Sequence, residues 1–419
     1  MRIAFISEHA SPLAAVGGVD SGGQNIYVLH VARQLARMGQ SVDVITRRDR
    51  PGLPSVVPLE QNVRVIHVSG GPERYVPKER LLPYMEEFSE RTVQWCAAQA
   101  VPYRLAHANF FMSGMAALAL KRALNLPFVI TFHALGRIRR LHQRDADSFP
   151  LDRLRIEDEL VRHADRVIAE CPQDRSDLVQ HYAAQLDRVS VVPCGFDAAE
   201  FSPGPRTARR TLGIGDDEFV VLQLGRLVPR KGIDNVVRGI AALKRRGVRS
   251  RLLIVGGNSD CADERLTPEI GRLRGIAREE GVADQIVFTG QRPRSALREL
   301  YCASDVFVTT PWYEPFGITP IEAMACGVPV IGSAVGGIKY SVRDGYSGYL
   351  VPPNDPVALA DCLGRLHGNP LLARALGRRG LERARQHFTW QRVARDLFRE
   401  YCRIVGSEQA VPPRAEALS

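Results

Sequence analysis

Residues 314–327 read EPFGITPIEAMACG, and this stretch decides the fold of the C-terminal half of the chain. It follows a short apolar run, 305–310, and then takes up a helical pattern that begins near Thr319. A strand, a glycine-containing turn and a helix in this order are typical of a parallel α/β unit. The start of such a helix presents unpaired backbone N–H groups and the positive end of a dipole. We therefore predict that the backbone around Gly317 binds an anion and suits a diphosphate.

Two glutamates flank this turn. Glu314 lies just before it, and Glu322 lies about one helical turn inside the helix. Carboxylates beside a phosphate site repel the phosphate unless they bind hydroxyl groups, so we assign both to sugar hydroxyls. The alternative is an ordinary turn with one solvated and one helix-interior glutamate. The spacing alone is a weak signal, but Phe316-Gly317 and the following Gly327-Val328-Pro329-Val330 favour the functional reading.

A second turn, GRLVPRKG at 225–232, directly follows the predicted strand Phe219–Leu224. Arg226 and Lys231 lie at the carboxyl end of that strand, where a leaving pyrophosphate would need neutralising. Gly232 is predicted to start the helix 233–244. A basic surface turn is the alternative, and the position of the turn after the first strand of the second series argues against it.

A third turn, GGVDSGGQN at 17–25, lies between the first strand and the first helix. It is not GxGxxG, which disfavours an adenine dinucleotide site. A glycine loop at a helix N-terminus still suits a phosphate or a hydroxyl-rich ligand, and Gln24 and Asn25 add polar contacts. The alternative is a flexible turn that binds no ligand.

The fourth segment is TFHALGRIRR at 131–140, in which His133 ends a predicted strand. A lone histidine is more often structural than catalytic, but this one is placed to face a ligand and precedes a basic cluster. Asp145-Ala146-Asp147 matches a metal-binding DxD, yet it follows no strand and is discounted. No Ser-His-Asp or zinc signature is persuasive.

Short apolar runs alternate with helical patterns along the chain, which is typical of parallel βαβ units. A proline- and glycine-rich stretch at 193–205 separates two series, so we predict doubly wound domains at 1–197 and 198–388. After the last strand the chain is predicted to be helical to about Val405, with a loose tail at 406–419. The predicted strands are 2–7, 41–46, 63–68, 104–107, 128–132, 166–169 and 189–192, then 219–224, 251–255, 285–288, 306–309, 328–331 and 348–351. The predicted helices include 24–38, 79–98 and 153–163.

Composition and charge limit the class of protein, its compartment and its ligands. The 419 residues are 45% hydrophobic and 24% charged, which indicates a globular protein and not a disordered one. No apolar run approaches the ~20 residues that span a bilayer, and no secretory signal is visible. Eight single cysteines without a CxxC pair predict reduced thiols in the cytoplasm. The net charge of +10 fits a solvated basic surface, anionic small molecules or acidic lipid, and nucleic acid is disfavoured.

Together these motifs resemble the retaining GT-B glycosyltransferases of the sucrose-phosphate synthase and D-inositol-3-phosphate glycosyltransferase type, which are family 4, group 1 enzymes. The likeness covers essentially residues 1–405. It implies an α/β fold of two facing Rossmann-like domains, with a C-terminal helix at about 389–405 that crosses back to the first domain. It also implies transfer of a hexose, from UDP-glucose or a similar nucleotide sugar, to a small and phosphorylated polyol or sugar. No metal or other cofactor is expected.

The resemblance also implies residue roles. His133, Glu314, Arg226 and Lys231 would be catalytic. The donor would be bound by Gly23, Arg226, Lys231, Phe316, Gly317, Ile318, Thr319 and Glu322. The acceptor would be bound by Gln24, Asn25, Lys78, Arg139, Arg153 and Arg155. Ala134 departs from the hydroxyl residue that several relatives carry.

Three other functions are compatible with the same pattern. A nucleotide-sugar 2-epimerase shares the architecture but would turn over the donor without an acceptor. A non-catalytic sugar-nucleotide sensor would bind without turnover. A peripheral-membrane transferase acting on a lipid-linked acceptor would use the basic surface for weak membrane contact. Either a monomer or a homodimer is compatible with the sequence.

Overall fold

The computed structural model describes residues 1–14 and 22–406, without the side chain of Asp145. The predicted loop residues 17–21 and the predicted loose tail from residue 407 onward lie outside the described residues. The chain divides into two compact units. Unit 1 contains Met1–Ala14, Gln24–Pro193 and the chain from Trp390 onward; unit 2 contains Cys194–Thr389 and the segment that ends at Gly23. The division after Pro193 falls at the start of the proline- and glycine-rich stretch.

Unit 1 is built on an eight-stranded sheet with the order β3-β4-β2-β1-β5-β6-β7-β8. All neighbouring strands are parallel except β3, which pairs antiparallel with β4 at the edge. The strands are β1 Arg2–Ile6, β2 Ser41–Arg47, β3 Val56–Glu60, β4 Val63–Val68, β5 Leu105–Asn109, β6 Phe128–Thr131, β7 Arg166–Ala169 and β8 Val189–Val191. The helices before residue 190 are α1 Gly23–Arg37, α2 Met85–Ala97, α3 Phe111–Leu124, α4 Gly136–Gln143, α5 Asp152–His163 and α6 Pro172–Tyr182.

Unit 2 contains a six-stranded sheet, all parallel, with the order β11-β10-β9-β12-β13-β14. The strands are β9 Phe219–Leu224, β10 Ser250–Val255, β11 Ile286–Gly290, β12 Val306–Thr309, β13 Val330–Ser333 and β14 Gly348–Val351. The helices are α7 Ala208–Thr211, α8 Ile233–Arg245, α9 Pro268–Glu279, α10 Arg294–Ala303, α11 Ile318–Ala325, α12 Ile338–Ser341, α13 Pro356–Gly368 and α14 Pro370–His387. The central strands are largely apolar because both faces of the sheet are covered.

The last helix, α15 (Trp390–Val405), belongs to unit 1. Its buried positions recur every three to four residues, so one apolar stripe faces the core of that unit. The Trp390 ring stacks on His30 of α1 with ring centroids 5.4 Å apart. Glu400 Oε2 forms an ion pair with Arg166 Nε of β7 at 3.2 Å. Among the described residues, no helix is long and apolar enough to cross a membrane.

The structure confirms the predicted strands, with shifts at some ends, and adds one strand. The added strand, β3, was missed because Pro58 interrupts its apolar run, and proline is tolerated here since β3 lies at the sheet edge. The strand predicted at 328–331 begins two residues later, at Val330. Pro329 has no N–H to give to the ladder, while Val328 donates its N–H to Ala323 at the end of α11.

The helix predicted at 79–98 was wrong in its first turns. Two 3₁₀ turns, Lys78–Arg80 and Leu82–Tyr84, come first, and the α-helix starts at Met85. Pro83 explains the difference, because a proline inside an α-helix removes a hydrogen bond and clashes with the preceding turn. The helices predicted at 24–38 and 153–163 are confirmed to within one residue at each end.

Candidate active site

Two loops of unit 2 meet at the point where the strand order reverses. Strands β9 and β12 are neighbours, although two strands intervene in sequence. The crossover from β9 to β10 therefore runs to one side of the sheet, and the crossover from β12 to β13 runs to the other. Ligands in open α/β sheets bind at the carboxyl ends of strands at such a point. The loop after β9 and the loop after β12 are joined there by hydrogen bonds. Thr310 Oγ1 donates to the Gly232 carbonyl at 2.8 Å, and the Trp312 amide donates to the Arg230 carbonyl at 3.0 Å.

These loops bring together two of the predicted catalytic residues. Lys231 Nζ donates to Glu314 Oε2 in a salt bridge whose side chains are 17% and 14% exposed. Arg230 Nη1 lies 3.9 Å from the same carboxylate oxygen and donates to the Tyr313 carbonyl. Arg226, exposed at the start of the first loop, adds a further positive charge. The result is a cluster of three cations around one carboxylate.

The pKa shifts follow from this arrangement. Burial alone would raise the pKa of Glu314, but Lys231, Arg230 and Arg226 together hold it below its ordinary value. Burial lowers the pKa of Lys231, and the neighbouring Glu314 carboxylate opposes that shift. Glu314 is therefore ionised at neutral pH.

A glycine pair that the sequence reasoning missed supports the Glu314 loop. The Gly337 amide donates to the carbonyls of Glu314 and Pro315 at 3.3 and 3.1 Å. Gly336 has φ of 43°, and a Cβ there would overlap the Glu314 carbonyl oxygen. The dipeptide just after β13 was the signal available in the sequence, because paired glycines after a strand indicate a close backbone approach.

Helix α11 starts beside this cluster. Its N-cap is Gly317, which has no side chain to cap the first N–H groups, so the backbone amides of Ile318 and Thr319 suit an anion. The hydroxyl oxygen of buried Tyr301 lies 3.3 Å from the Thr319 carbonyl oxygen, beside the first turn. Phe316 is only 2% exposed, so its side chain packs in the core and its backbone is the part suited to a ligand.

Glu322 is held more tightly than the sequence suggested. Its Oε1 accepts from Arg294 Nη1 at 2.8 Å, and its Oε2 accepts from the Tyr301 hydroxyl at 3.1 Å. Arg294 also donates to Glu200 at 2.5 Å. Replacing Glu322 by alanine would leave Arg294 with one carboxylate partner fewer in a buried place, so a loss of activity in that variant would include a loss of stability.

Unit 1 gathers a second set of predicted residues at the carboxyl edge of its sheet. Asn109, at the end of β5, is the shared partner, since Gln24 Nε2 donates to its carbonyl at 3.1 Å. His133 Nε2 lies 3.1 Å from Asn109 Oδ1, and its Nδ1 lies 2.9 Å from Glu170 Oε1 at the end of β7. Gln24 and His133 are thus brought together, and Asn109 and Glu170 are functional candidates that the sequence reasoning missed.

A second histidine–carboxylate pair lies at the end of β1. His9 Nδ1 is 2.6 Å from Glu8 Oε1, and the other oxygen of Glu8 accepts from the Ser113 hydroxyl. The Glu8 side chain is fully buried, so the pair is fixed in orientation.

The structure buries the side chain of Arg153, one of the predicted acceptor ligands. Its side chain is 1% exposed and is paired with Glu157 at 2.7 Å. It also donates to the Ala134 carbonyl and lies over the rings of three phenylalanines at 4.6–4.9 Å. The guanidinium therefore holds α5 against the segment after β6, while its Nη1 is buried without a hydrogen-bond partner among the described residues.

The other acceptor candidates lie apart from one another along the chain. Arg139 is paired with Asp147 at 2.9 Å and stacks over Phe149, so this aspartate of the discounted DxD serves as a counter-ion. Arg155 is exposed on α5 and lies 3.9 Å from Asp152. Asn25 is buried and donates to the Ser11 carbonyl at 3.0 Å. Lys78 begins a short 3₁₀ turn, and Gly23 is the exposed first residue of α1.

Comparison with known proteins matches each half of the chain to a family. The Glycosyltransferase Family 4 model matches residues 21–200, and the Glycosyl transferases group 1 model matches residues 206–383. A D-inositol 3-phosphate glycosyltransferase of Actinosynnema mirum is 37% identical and aligns over 95% of this chain and 99% of its own. The protein of the same name in Corynebacterium efficiens is 35% identical, with 99% of both chains aligned.

Solved structures give the same result. Sucrose-phosphate synthase from Thermosynechococcus elongatus superposes with a TM-score of 0.88 at 35% identity, covering 97% of this chain and 99% of that one. HepE of Anabaena, solved with UDP-glucose, has the same fold with a TM-score of 0.74 at 20% identity, covering 96% and 99%. The chain belongs to the GT-B glycosyltransferases of the sucrose-phosphate synthase and D-inositol 3-phosphate glycosyltransferase type.

Proposed function

We propose that the protein is a retaining hexosyltransferase that moves glucose, or a closely related hexose, from a UDP-sugar to a small phosphorylated polyol or sugar. The observation that carries this proposal is the Lys231–Glu314 pair beside the N-terminus of α11. In it, cations and backbone amides suited to a diphosphate adjoin a carboxylate suited to sugar hydroxyls.

The difficult step is the departure of the nucleoside diphosphate, which builds negative charge on the leaving oxygen. A lysine ammonium has three N–H donors, so the salt bridge to Glu314 still allows Lys231 to donate to a phosphate oxygen. Arg226 and the amides of Ile318 and Thr319 supply further positive charge and donors. Groups fixed before the reaction stabilise that charge without reorganising, which is the main source of the proposed rate enhancement.

The contacts of the two glutamates bear on the route to retention, which runs either through a covalent sugar intermediate or through attack on the face that the diphosphate leaves. Glu314 is paired with Lys231, and both carboxylate oxygens of Glu322 are bonded to other side chains. Neither is arranged as a nucleophile that would form a covalent sugar intermediate. The acceptor hydroxyl would then attack from the face that the diphosphate leaves, and the departing phosphate oxygen would take its proton.

A phosphorylated acceptor is supported by the relatives, whose names specify D-inositol 3-phosphate and sucrose phosphate. On this chain, Gln24 at the edge of the unit 1 sheet suits acceptor hydroxyls, since its amide is held by Asn109. Lys78, Arg139 and Arg153 are the proposed phosphate ligands, and Arg155 is a more exposed fourth. We propose that no metal takes part, because the cations of unit 2 supply the charge. The eight free cysteines support the cytoplasm as the compartment.

The test is a transfer assay with UDP-glucose and a panel of acceptors that contains D-inositol 3-phosphate and several hexose phosphates. We expect UDP release that depends on the acceptor and persists in EDTA. NMR of the product should show the anomeric configuration of the donor. An inverted product would exclude the retaining mechanism. Isomerisation of UDP-glucose without any acceptor would identify an epimerase, and the absence of turnover with every acceptor and nucleotide sugar would indicate a sensor.

A further inference from the structure

The His133 ring is held on three sides within unit 1. The two ring nitrogens face Glu170 Oε1 at 2.9 Å and Asn109 Oδ1 at 3.1 Å. The Tyr27 ring meets the imidazole edge-on, with centroids 4.8 Å apart. The backbone of His133 has φ of 57°, a left-handed conformation that is strained for a non-glycine residue. Strain of this kind at the end of a strand marks a side chain whose position matters.

The orientation of Asn109 determines what His133 can donate. Asn109 Nδ2 donates to the Ile6 carbonyl at 3.2 Å, and this bond places Oδ1 toward the ring. Turning the amide over would set Oδ1 against that carbonyl, with two acceptors facing each other. Both nitrogens of His133 therefore face acceptor oxygens, and only a ring that carries a proton on each nitrogen satisfies both.

Glu170 is the carboxyl partner of the ring. It is 3% exposed at the end of β7, which pairs with β6 next to His133. Asp174, in the first turn of α6, accepts from the Glu170 amide at 2.9 Å. Burial, with the nearby Glu170 carboxylate, raises the pKa of Asp174 to about 8. Asp174 is thus mostly neutral at pH 7, and Glu170 is the carboxylate that faces His133.

A second histidine among the described residues near the ring is neutral. His107, on the neighbouring strand β5, is fully buried between the Tyr401 hydroxyl at 2.5 Å and the Thr131 hydroxyl at 2.9 Å. Burial, together with the nearby His133, lowers the pKa of His107 to about 3. The charge balance at His133 therefore rests on Glu170.

We infer that Glu170 is a positioning residue that fixes the His133 ring with both nitrogens protonated, so that His133 acts as a hydrogen-bond donor and not as a general base. A general base needs an unprotonated nitrogen, and this arrangement offers none. The Nε2–H can be shared between Asn109 and a substrate oxygen, as three-centre bonds are common in proteins. The role in transfer rests on the proposed function, while the state of the ring does not.

The ring is tested first, without substrate. NMR spectra of protein labelled with ¹⁵N-histidine are recorded at pH 7, and the His133 signals are assigned by their loss in His133→Asn. We expect two protonated ring nitrogens in the parent protein and a shift toward a neutral ring in Glu170→Ala. A single unprotonated nitrogen in the parent protein would overturn the inference, whether or not the proposed reaction is correct.

Kinetics test the consequence. With UDP-glucose and the most active acceptor of the panel, we expect Glu170→Ala to lower kcat about ten- to a hundredfold, the cost typical of removing the outer partner of a functional histidine. Glu170→Gln keeps an acceptor oxygen for Nδ1 and should recover part of that loss. The control is Glu159→Gln, an exposed carboxylate of α5 paired with Arg122, which should leave kcat unchanged. Parent-like kcat in a folded Glu170→Ala would contradict a positioning role.

Discussion

Lys231→Ala should lower kcat for transfer from UDP-glucose by about a hundred- to a thousandfold, the usual cost of removing one preorganised donor at a developing negative charge. The loss should fall on kcat, because the charge that Lys231 neutralises grows as the diphosphate leaves. The fold should survive, since Arg230 lies 3.9 Å from Glu314 and keeps a cation beside that carboxylate. Initial rates at saturating donor, with a thermal melt of each protein, provide the measurement.

The matched control for this variant is Lys244→Ala. Lys244 lies in the last turn of α8, at the other end of the helix that follows Lys231, and donates to the Gly281 carbonyl at 2.6 Å. Its side chain is 46% exposed and touches none of the proposed site residues. We expect its kcat to equal that of the parent. Similar kcat values in the two variants would remove Lys231 from the mechanism.

Gly232→Ala should destabilise unit 2 and abolish transfer together. Gly232 has φ of 61°, and a Cβ there would overlap the Thr310 backbone carbonyl, which cannot turn aside as a side chain can. Left-handed strain and the backbone clash add to about 3–5 kcal/mol of lost stability. The clash also lies between the loops that hold Lys231 and Glu314, so a folded fraction should still show little turnover.

Gly247→Ala separates the clash from the backbone strain. Gly247 follows the other end of α8 with φ of 80°, yet a Cβ there meets nothing within 4 Å. It should therefore cost about 1 kcal/mol, from the left-handed conformation alone, and leave kcat intact. Urea unfolding midpoints of the two variants, followed by circular dichroism, give the comparison. Equal midpoints would show that the two loops do not approach as closely as described.

Much of the fold follows from local pattern. Runs such as β9 and β12 are mostly apolar, with Gln223 and Thr309 as their polar residues, because strands covered on both faces need no polar alternation. The loops at 225–232 and 314–317 could be linked to a ligand because carboxyl strand ends gather functional groups. The contact between Lys231 and Glu314, however, required the strand order, which places β12 beside β9 although β10 and β11 intervene in sequence.

What the sequence did not show depends on partners that are remote along the chain. Asn109 and Glu170 carry no motif, and each matters only because its strand ends beside His133. The burial of Arg153 was not predictable either, because charge alone does not indicate exposure. An arginine enters the interior when a carboxylate pairs with it and aromatic rings cover its faces, as Glu157 and Phe149 do here.

A crystal structure with bound UDP would show where the diphosphate binds. We expect the two phosphates to bind at the N-terminus of α11, within about 3 Å of the Ile318 and Thr319 amides and of Lys231 Nζ. Phosphates bound anywhere else on either unit, with Lys231 and Glu314 left in contact only with each other, would contradict this expectation.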